Sequence, residues 1–176
     1  NGSCATIEAL RVFAYGTDSV DTRFYENYYA DTMFDLNGDT IRLDNGTPLV
    51  YLPLEVRLDL SRLPAEKTAG MKKYEIDKMG TKDGKLSDND IVLFRYADVL
   101  LMRSEAKVRN GENGDEELNA VRFRVGMLPR KATLENILAE RQLELAWEGW
   151  RRQDLVRFGK FTRPYTDRPQ LPHESN

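Results

Sequence analysis

The sequence predicts a mostly α-helical fold that carries a small antiparallel β-meander. Three observations predict it. Residues 133–159 place apolar side chains at helical spacing. Residues 90–126 hold two further helical stretches, parted by Asn110-Gly111 and Gly114. Residues 32–60 instead carry two hairpin turn signals between β-forming runs. At 176 residues the chain is long enough for a real core, and residues 1–176 are expected to form a single domain.

In chain order, residues 6–15 predict a short helix with Ile7, Leu10 and Phe13 on one side, broken at Gly16. Residues 21–30 set Phe24, Tyr25, Tyr28 and Tyr29 at helical spacing. These rings admit two readings, a carbohydrate platform or a core-facing stripe, and the large apolar area of aromatics weighs toward the core. Asp35-Leu36-Asn37-Gly38-Asp39 and Asp44-Asn45-Gly46 are hairpin turns. They predict strands over 32–36, 40–43 and 49–54. Asp35, Asn37 and Asp39 imitate the opening of a calcium loop, but Thr40 stands where that loop needs glycine and Gly46 where it needs glutamate. The hairpin reading prevails. Residues 61–90 predict a polar connection holding a short strand near 73–76.

Asp90 is a suitable cap for a helix over 91–109, with Leu93, Ala97, Leu100, Leu101 and Val108 as its apolar face. Arg95, Asp98, Glu105 and Arg109 line a second face. That face is either a solvated ladder of weak ion pairs or the partner of Arg141 and Glu148. Residues 115–125 predict a second helix antiparallel to the first. The pair resembles one tetratricopeptide unit.

Thr133 is the expected N-cap of the next helix. Leu134, Ile137, Leu138 and Leu145 share one face, and Arg141 and Glu148 fall on that same face. Charges inside an apolar stripe need partners, because unpaired burial is costly. Arg141 and Glu148 are therefore expected to be buried and bonded to groups outside their own helix. Gly149 loosens this helix, and a second amphipathic turn follows with Trp150, Leu155 and Phe158 apolar and Arg151, Asp154 and Arg157 charged. Arg95, Glu105, Arg141, Glu144, Glu148, Arg151 and Asp154 together form the expected ion network.

Net charge is −3 with 31% charged residues, and arginines are interleaved with acids. That is the pattern of ion pairing, and it argues against a nucleic-acid or anionic-membrane surface. Cys4 is the sole cysteine and His173 the sole histidine. They support neither a disulfide, a zinc cage nor a nucleophilic triad. No phosphate loop or dinucleotide fingerprint is present, so no cofactor is expected. Glu140, Glu144 and Glu148 could supply a glycosidase carboxylate pair, but Arg141, Arg151 and Arg152 lie close enough to hold them ionised, the opposite of what a general acid needs. Metal and catalytic residues are accordingly expected to be none.

Three segments carry a family resemblance. Residues 140–159 read E-R-Q-L-E-L-A-W-E-G-W-R-R-Q-D-L-V-R-F-G, residues 95–106 read R-Y-A-D-V-L-L-M-R-S-E-A, and residues 118–126 read L-N-A-V-R-F-R-V-G. In this order they resemble the C-terminal signatures of SusD/RagB-type outer-membrane nutrient-binding lipoproteins. Asp98, Ser104 and Val125 depart from the family's usual Glu, Ala and Ala. The resemblance implies a protein built on helical repeats and held on the outer membrane by an acylated cysteine. It also implies a non-catalytic role: capturing an oligosaccharide or other nutrient and delivering it to a SusC-like TonB-dependent transporter. Cys4 has no apolar stretch before it and is not expected to be the acylated residue. The chain is expected to be the C-terminal part of a longer protein, whose lipid anchor lies elsewhere. Tyr25, Tyr28, Tyr29 and Tyr51 are the candidate ligand contacts. The alternative is a helical-repeat interaction module without a ligand site of its own.

Overall fold

The structure is a computed structural model that describes residues 5–55, 70–74 and 89–163. Cys4, His173, the connection over 56–69 and the end of the expected strand at Ile76 lie outside the described residues. Helices dominate. In chain order the elements are α1 (Ile7–Val12), α2 (Phe24–Asn27), β1 (Tyr28–Tyr29), β2 (Asp31–Thr32), β3 (Val50–Tyr51), a 3-10 turn (Pro53–Glu55), β4 (Gly70–Met71), α3 (Tyr96–Arg109), α4 (Asp115–Arg124), α5 (Leu134–Glu144) and α6 (Arg151–Arg157).

Two helices start where their hydroxyl caps put them. Thr6 Oγ1 accepts from the Ala9 amide at 3.2 Å, and Thr133 Oγ1 from the Asn136 amide at 3.1 Å. Three expected helices are shorter than the periodicity suggested. The helix over 21–30 is one turn long, because Tyr28 turns extended (φ −135°, ψ 141°) and enters β1 opposite Met71. Asp90 does not cap α3. The segment 89–95 is irregular, Leu93 is exposed, and the chain becomes helical only after Arg95, whose backbone is extended while its guanidinium reaches Glu144 and Glu148. The signature helix stops at Glu144, because Trp147 (φ 65°) and Gly149 (φ 80°) turn the chain through left-handed geometry before α6. Glu148 therefore belongs to this elbow and not to a helix.

The meander is a pair of hairpins held by few ladder bonds. β2 pairs antiparallel with β3, matching Asp31 to Tyr51, and single bridges join Phe34 to Thr40 and Arg42 to Pro48. Met33, Ile41 and Leu49 close a ring of backbone bonds: Met33 N–H to Leu49 O at 3.0 Å, Ile41 N–H to Met33 O at 3.0 Å, and Leu49 N–H to Ile41 O at 2.8 Å. Met33 and Ile41 are each followed by a turn whose glycine, Gly38 and Gly46 respectively, is left-handed. Asp35 Oδ1 accepts from the amides of Asn37 and Asp39 at 2.8 and 2.9 Å, so this carboxylate serves its own turn.

The core has two apolar centres. Ala5, Leu10, Phe13, Phe24, Tyr28 and Leu143 form one, aromatic in character. Leu101, Leu118, Val121, Ala132 and Ile137 form the other, aliphatic and set among α3, α4 and α5. Each fully buried large side chain contributes roughly 1.5–3 kcal/mol. Helix α5 serves both centres, Ile137 in one and Leu143 in the other, with Glu140, Arg141 and Glu144 buried between them.

Candidate functional site

The interior of the molecule between the two apolar centres is ionic. Arg141 is 1% exposed and donates to Asp98 on α3 at 2.7 Å and to Asp154 on α6 at 2.8 Å. Asp154 also accepts from Arg157 at 2.9 Å. Arg157 continues to Glu105 in a two-bonded contact at 3.0 and 2.8 Å, and Glu105 accepts from Arg109 at 2.9 Å. One continuous chain of charge thus ties α3, α5 and α6. Burial alone would raise the Glu105 carboxyl, but the bonds from Arg157 and Arg109 outweigh it and hold it below the usual carboxylate range.

A second chain runs from α5 toward the N-terminal segment. Arg23 is bonded by Asp21 at 2.9 and 2.7 Å and donates to Glu144 at 2.9 Å. It also lies 2.8 Å from Glu140 Oε1 in an ion contact without an aligned hydrogen bond. Glu140 accepts from Arg122. Arg95 grips Glu144 at 2.6 Å and Glu148 at 3.0 and 2.9 Å, and Lys73 closes on Glu148. Arg124 adds a bond to Glu144 at 2.7 Å. Burial pushes the Glu144 carboxyl up, yet Arg95 and Arg23 hold it below its ordinary value. Burial lowers the Lys73 ammonium, and Glu148 offsets only part of that. Arg151 donates to the Leu138 carbonyl at 3.3 Å and so fastens α6 to α5 through the main chain.

The second face of α3 is therefore the partner face of α5 and α6, not a solvated ladder. The sequence reading missed Arg23, Arg122 and Lys73. Arg23 carried a signal of the same kind as Arg141, a lone arginine inside an aromatic stripe, one residue before Phe24.

The tyrosines separate into three settings. Tyr28 is 5% exposed, with its ring stacked on Phe24 and edge-on to Phe13, and burial pushes its phenol up to about 12. Tyr25 is 45% exposed and meets Tyr15 and Phe24 edge-on. Tyr29 and Tyr51 stack on each other with centroids 6.0 Å apart and planes 25° apart. Gly70 lies beneath this pair: a side-chain carbon there would sit 3.5 Å from the Tyr29 ring and 3.6 Å from the Tyr51 ring. The structure brings Tyr29 and Tyr51 together and turns Tyr28 into the core.

Buried charges fasten helices here, and stacked half-buried rings lie on the adjoining strands. Such an arrangement defines a helical scaffold with an aromatic surface. The model of the SusD family matches residues 16–173, and the chain belongs to that family. It is 36% identical to the starch-binding protein SusD of Bacteroides thetaiotaomicron over 91 residues, which are 51% of this chain and 16% of that protein. It is 40% identical to a SusD-like protein of Formosa agariphila over 91 residues, which are 43% of this chain and 18% of that protein. The aligned part is less than one fifth of either relative. Among the described residues no helix is long and apolar enough to cross a membrane.

Proposed function

We propose that this chain is part of a cell-surface protein that binds oligosaccharide without cleaving it. Membership of the SusD family carries this reading, together with the likeness to a relative named for starch binding. The stacked Tyr29–Tyr51 pair supports it, because a flat aromatic surface accepts the C–H face of a sugar ring. The glutamates support the non-catalytic half of the proposal. Glu140, Glu144 and Glu148 are each paired with arginine, and Glu144 is held ionised, whereas a glycosidase acid must keep its proton near neutral pH. The bound nutrient passes to a SusC-like TonB-dependent transporter, and the full-length protein is held on the outer membrane by a lipid.

Calorimetry of the full-length protein against maltohexaose, cellohexaose and xylohexaose tests this, with chromatography of the mixtures after overnight incubation. Binding with intact sugars is the expected result, with a Kd in the micromolar-to-millimolar range, roughly −8 to −4 kcal/mol. Shortened sugars would establish a hydrolase instead. A helical-repeat interaction module is the second reading, favoured by Tyr96, Val99 and Met102, which are exposed along one side of α3. Absence of sugar binding together with a co-purifying protein would select it.

A further inference from the structure

We infer that a second sugar-contacting surface lies at the elbow between α5 and α6, apart from the tyrosine pair; this rests on the oligosaccharide reading above. A cavity of about 740 Å³ opens there. Its walls include Tyr74, Phe94, Trp147, Trp150 and Gln153. The Phe94 and Trp150 rings are 5.8 Å apart and inclined at 48°, and Phe94 is 72% exposed.

The chemistry of this cavity is mixed in the way a sugar is mixed. A pyranose has an apolar C–H face and a rim of hydroxyls that both donate and accept. Trp150 and Phe94 present apolar planes. The Trp147 indole N–H, on the same wall, is buried without a hydrogen-bond partner among the described residues, and Gln153 sets an exposed amide at the rim. A wholly apolar occupant would strip the amide of water and leave both it and the indole unbonded, which is unfavourable. An oligosaccharide can cover the rings and bond the amide and the indole together. The volume suits a small-molecule site.

The cavity is held open by rigid parts. Trp147 and Tyr74, on its walls, both have φ 65°, a left-handed geometry that non-glycine residues hold only when their surroundings enforce it. Glu148 between them is 2% exposed at its side chain and fixed by Arg95 and Lys73. The adjoining cleft, of about 540 Å³, shares Tyr74, Val92 and Glu148 with the cavity and adds Asn27 and Arg124 as polar wall. An extended ligand that starts on Trp150 can therefore continue past Tyr74 onto polar groups.

The test uses the full-length protein, the three hexasaccharides above, and the variants Trp150→Ala, Trp150→Phe, Gln153→Ala and Tyr51→Ala. The inference expects Trp150→Ala to weaken binding of the best hexasaccharide roughly tenfold, and Trp150→Phe to retain most of the affinity. Gln153→Ala, an exposed position, should weaken it about threefold without moving the thermal midpoint. Sugar should also change the intrinsic tryptophan emission of the parent protein, and change it less in Trp150→Phe. Affinities within twofold of the parent in both Trp150→Ala and Gln153→Ala, with loss in Tyr51→Ala, would overturn the elbow site and leave the oligosaccharide reading standing. Failure of the parent to bind any of the three would remove both. Loss of a co-purifying protein from the elbow variants, with sugar affinity unchanged, would make the elbow a protein-docking surface and overturn the inference.

Discussion

The N-terminal segment and the helical part beyond residue 89 solve the same packing problem differently. The first relies on rings: Phe13, Phe24 and Tyr28 meet edge-on or stacked, and its regular elements are between two and six residues long. Such short elements are marginal by themselves and depend on the packing around them. The second has helices of up to fourteen residues, a modest aliphatic centre and a large share of buried charge. Helix α5 joins the two, and its middle turn is charged where a core helix is ordinarily apolar. Aromatic packing tolerates irregular backbone, whereas buried ion pairs require several helices to be placed at once.

The largest expected effect breaks the ionic side of this comparison. Arg141→Met leaves Asp98 and Asp154 without their shared partner and should cost about 3–5 kcal/mol, read from the urea midpoint. An unchanged midpoint would mean that these bonds are ornamental. Phe13→Ala addresses the other side. It should cost about 3–4 kcal/mol and selectively remove hydrogen-exchange protection from α1 and α2, while α3 and α4 keep theirs. Equal loss everywhere would show that the two regions unfold as one. Gly114→Ala sharpens the helical side alone. Its new carbon would lie 2.7 Å from the Ser104 carbonyl oxygen, so the α3–α4 pair must shift, at about 1–3 kcal/mol by calorimetry.

The smallest effect is that of pH near neutrality. Asp21, Glu105, Glu117 and Glu144 all have carboxyls lowered in the folded state. A depressed folded pKa gives stability that is present above the unfolded value, 4.5 for glutamate, and lost as pH falls through the folded value. Urea midpoints should therefore be flat from about pH 8 to 6 and drop steeply below about pH 4.5. Asp21 lies in the N-terminal segment and Glu105 in α3, so both regions should weaken together in acid, unlike the response to Phe13→Ala.

Much of the helical part was legible because charge on an apolar stripe has few physical outcomes. Arg141 could only be paired, and its partner Asp98 lies on the second face of α3, for which the sequence left two readings open. The turns at Gly38 and Gly46 were legible as asparagine-glycine and aspartate-asparagine-glycine hairpin signals. The breaks were not. Periodicity runs straight through Trp147, whose left-handed backbone is imposed by tertiary packing and not by local preference. It likewise runs through Tyr28, where pairing with Met71, more than forty residues away, overrides helical spacing. The Tyr29–Tyr51 stack depends on Gly70 beneath it, a contact that no local window contains. Ser104, which departs from the family's usual alanine, donates to the Gly114 carbonyl at 2.9 Å and closes the α3–α4 pair.

The Arg23–Glu144 bond spans 121 positions of sequence. A ribosome adding about 5–20 residues per second needs roughly 6–24 s to make that interval. Throughout that time Arg23, Phe13 and Phe24 have emerged or are emerging, while Leu143, Glu140 and Glu144 do not yet exist. The aromatic segment must therefore wait without its α5 partners, and the helical part, whose bonds from α3 to α5 and α6 span 43 and 52 positions, has the shorter intervals to close. Limited proteolysis of ribosome-bound chains stalled before and after residue 144 would see this as late protection of the region around Phe13. Of these two regions, the one made first would then be the last to become protein-like.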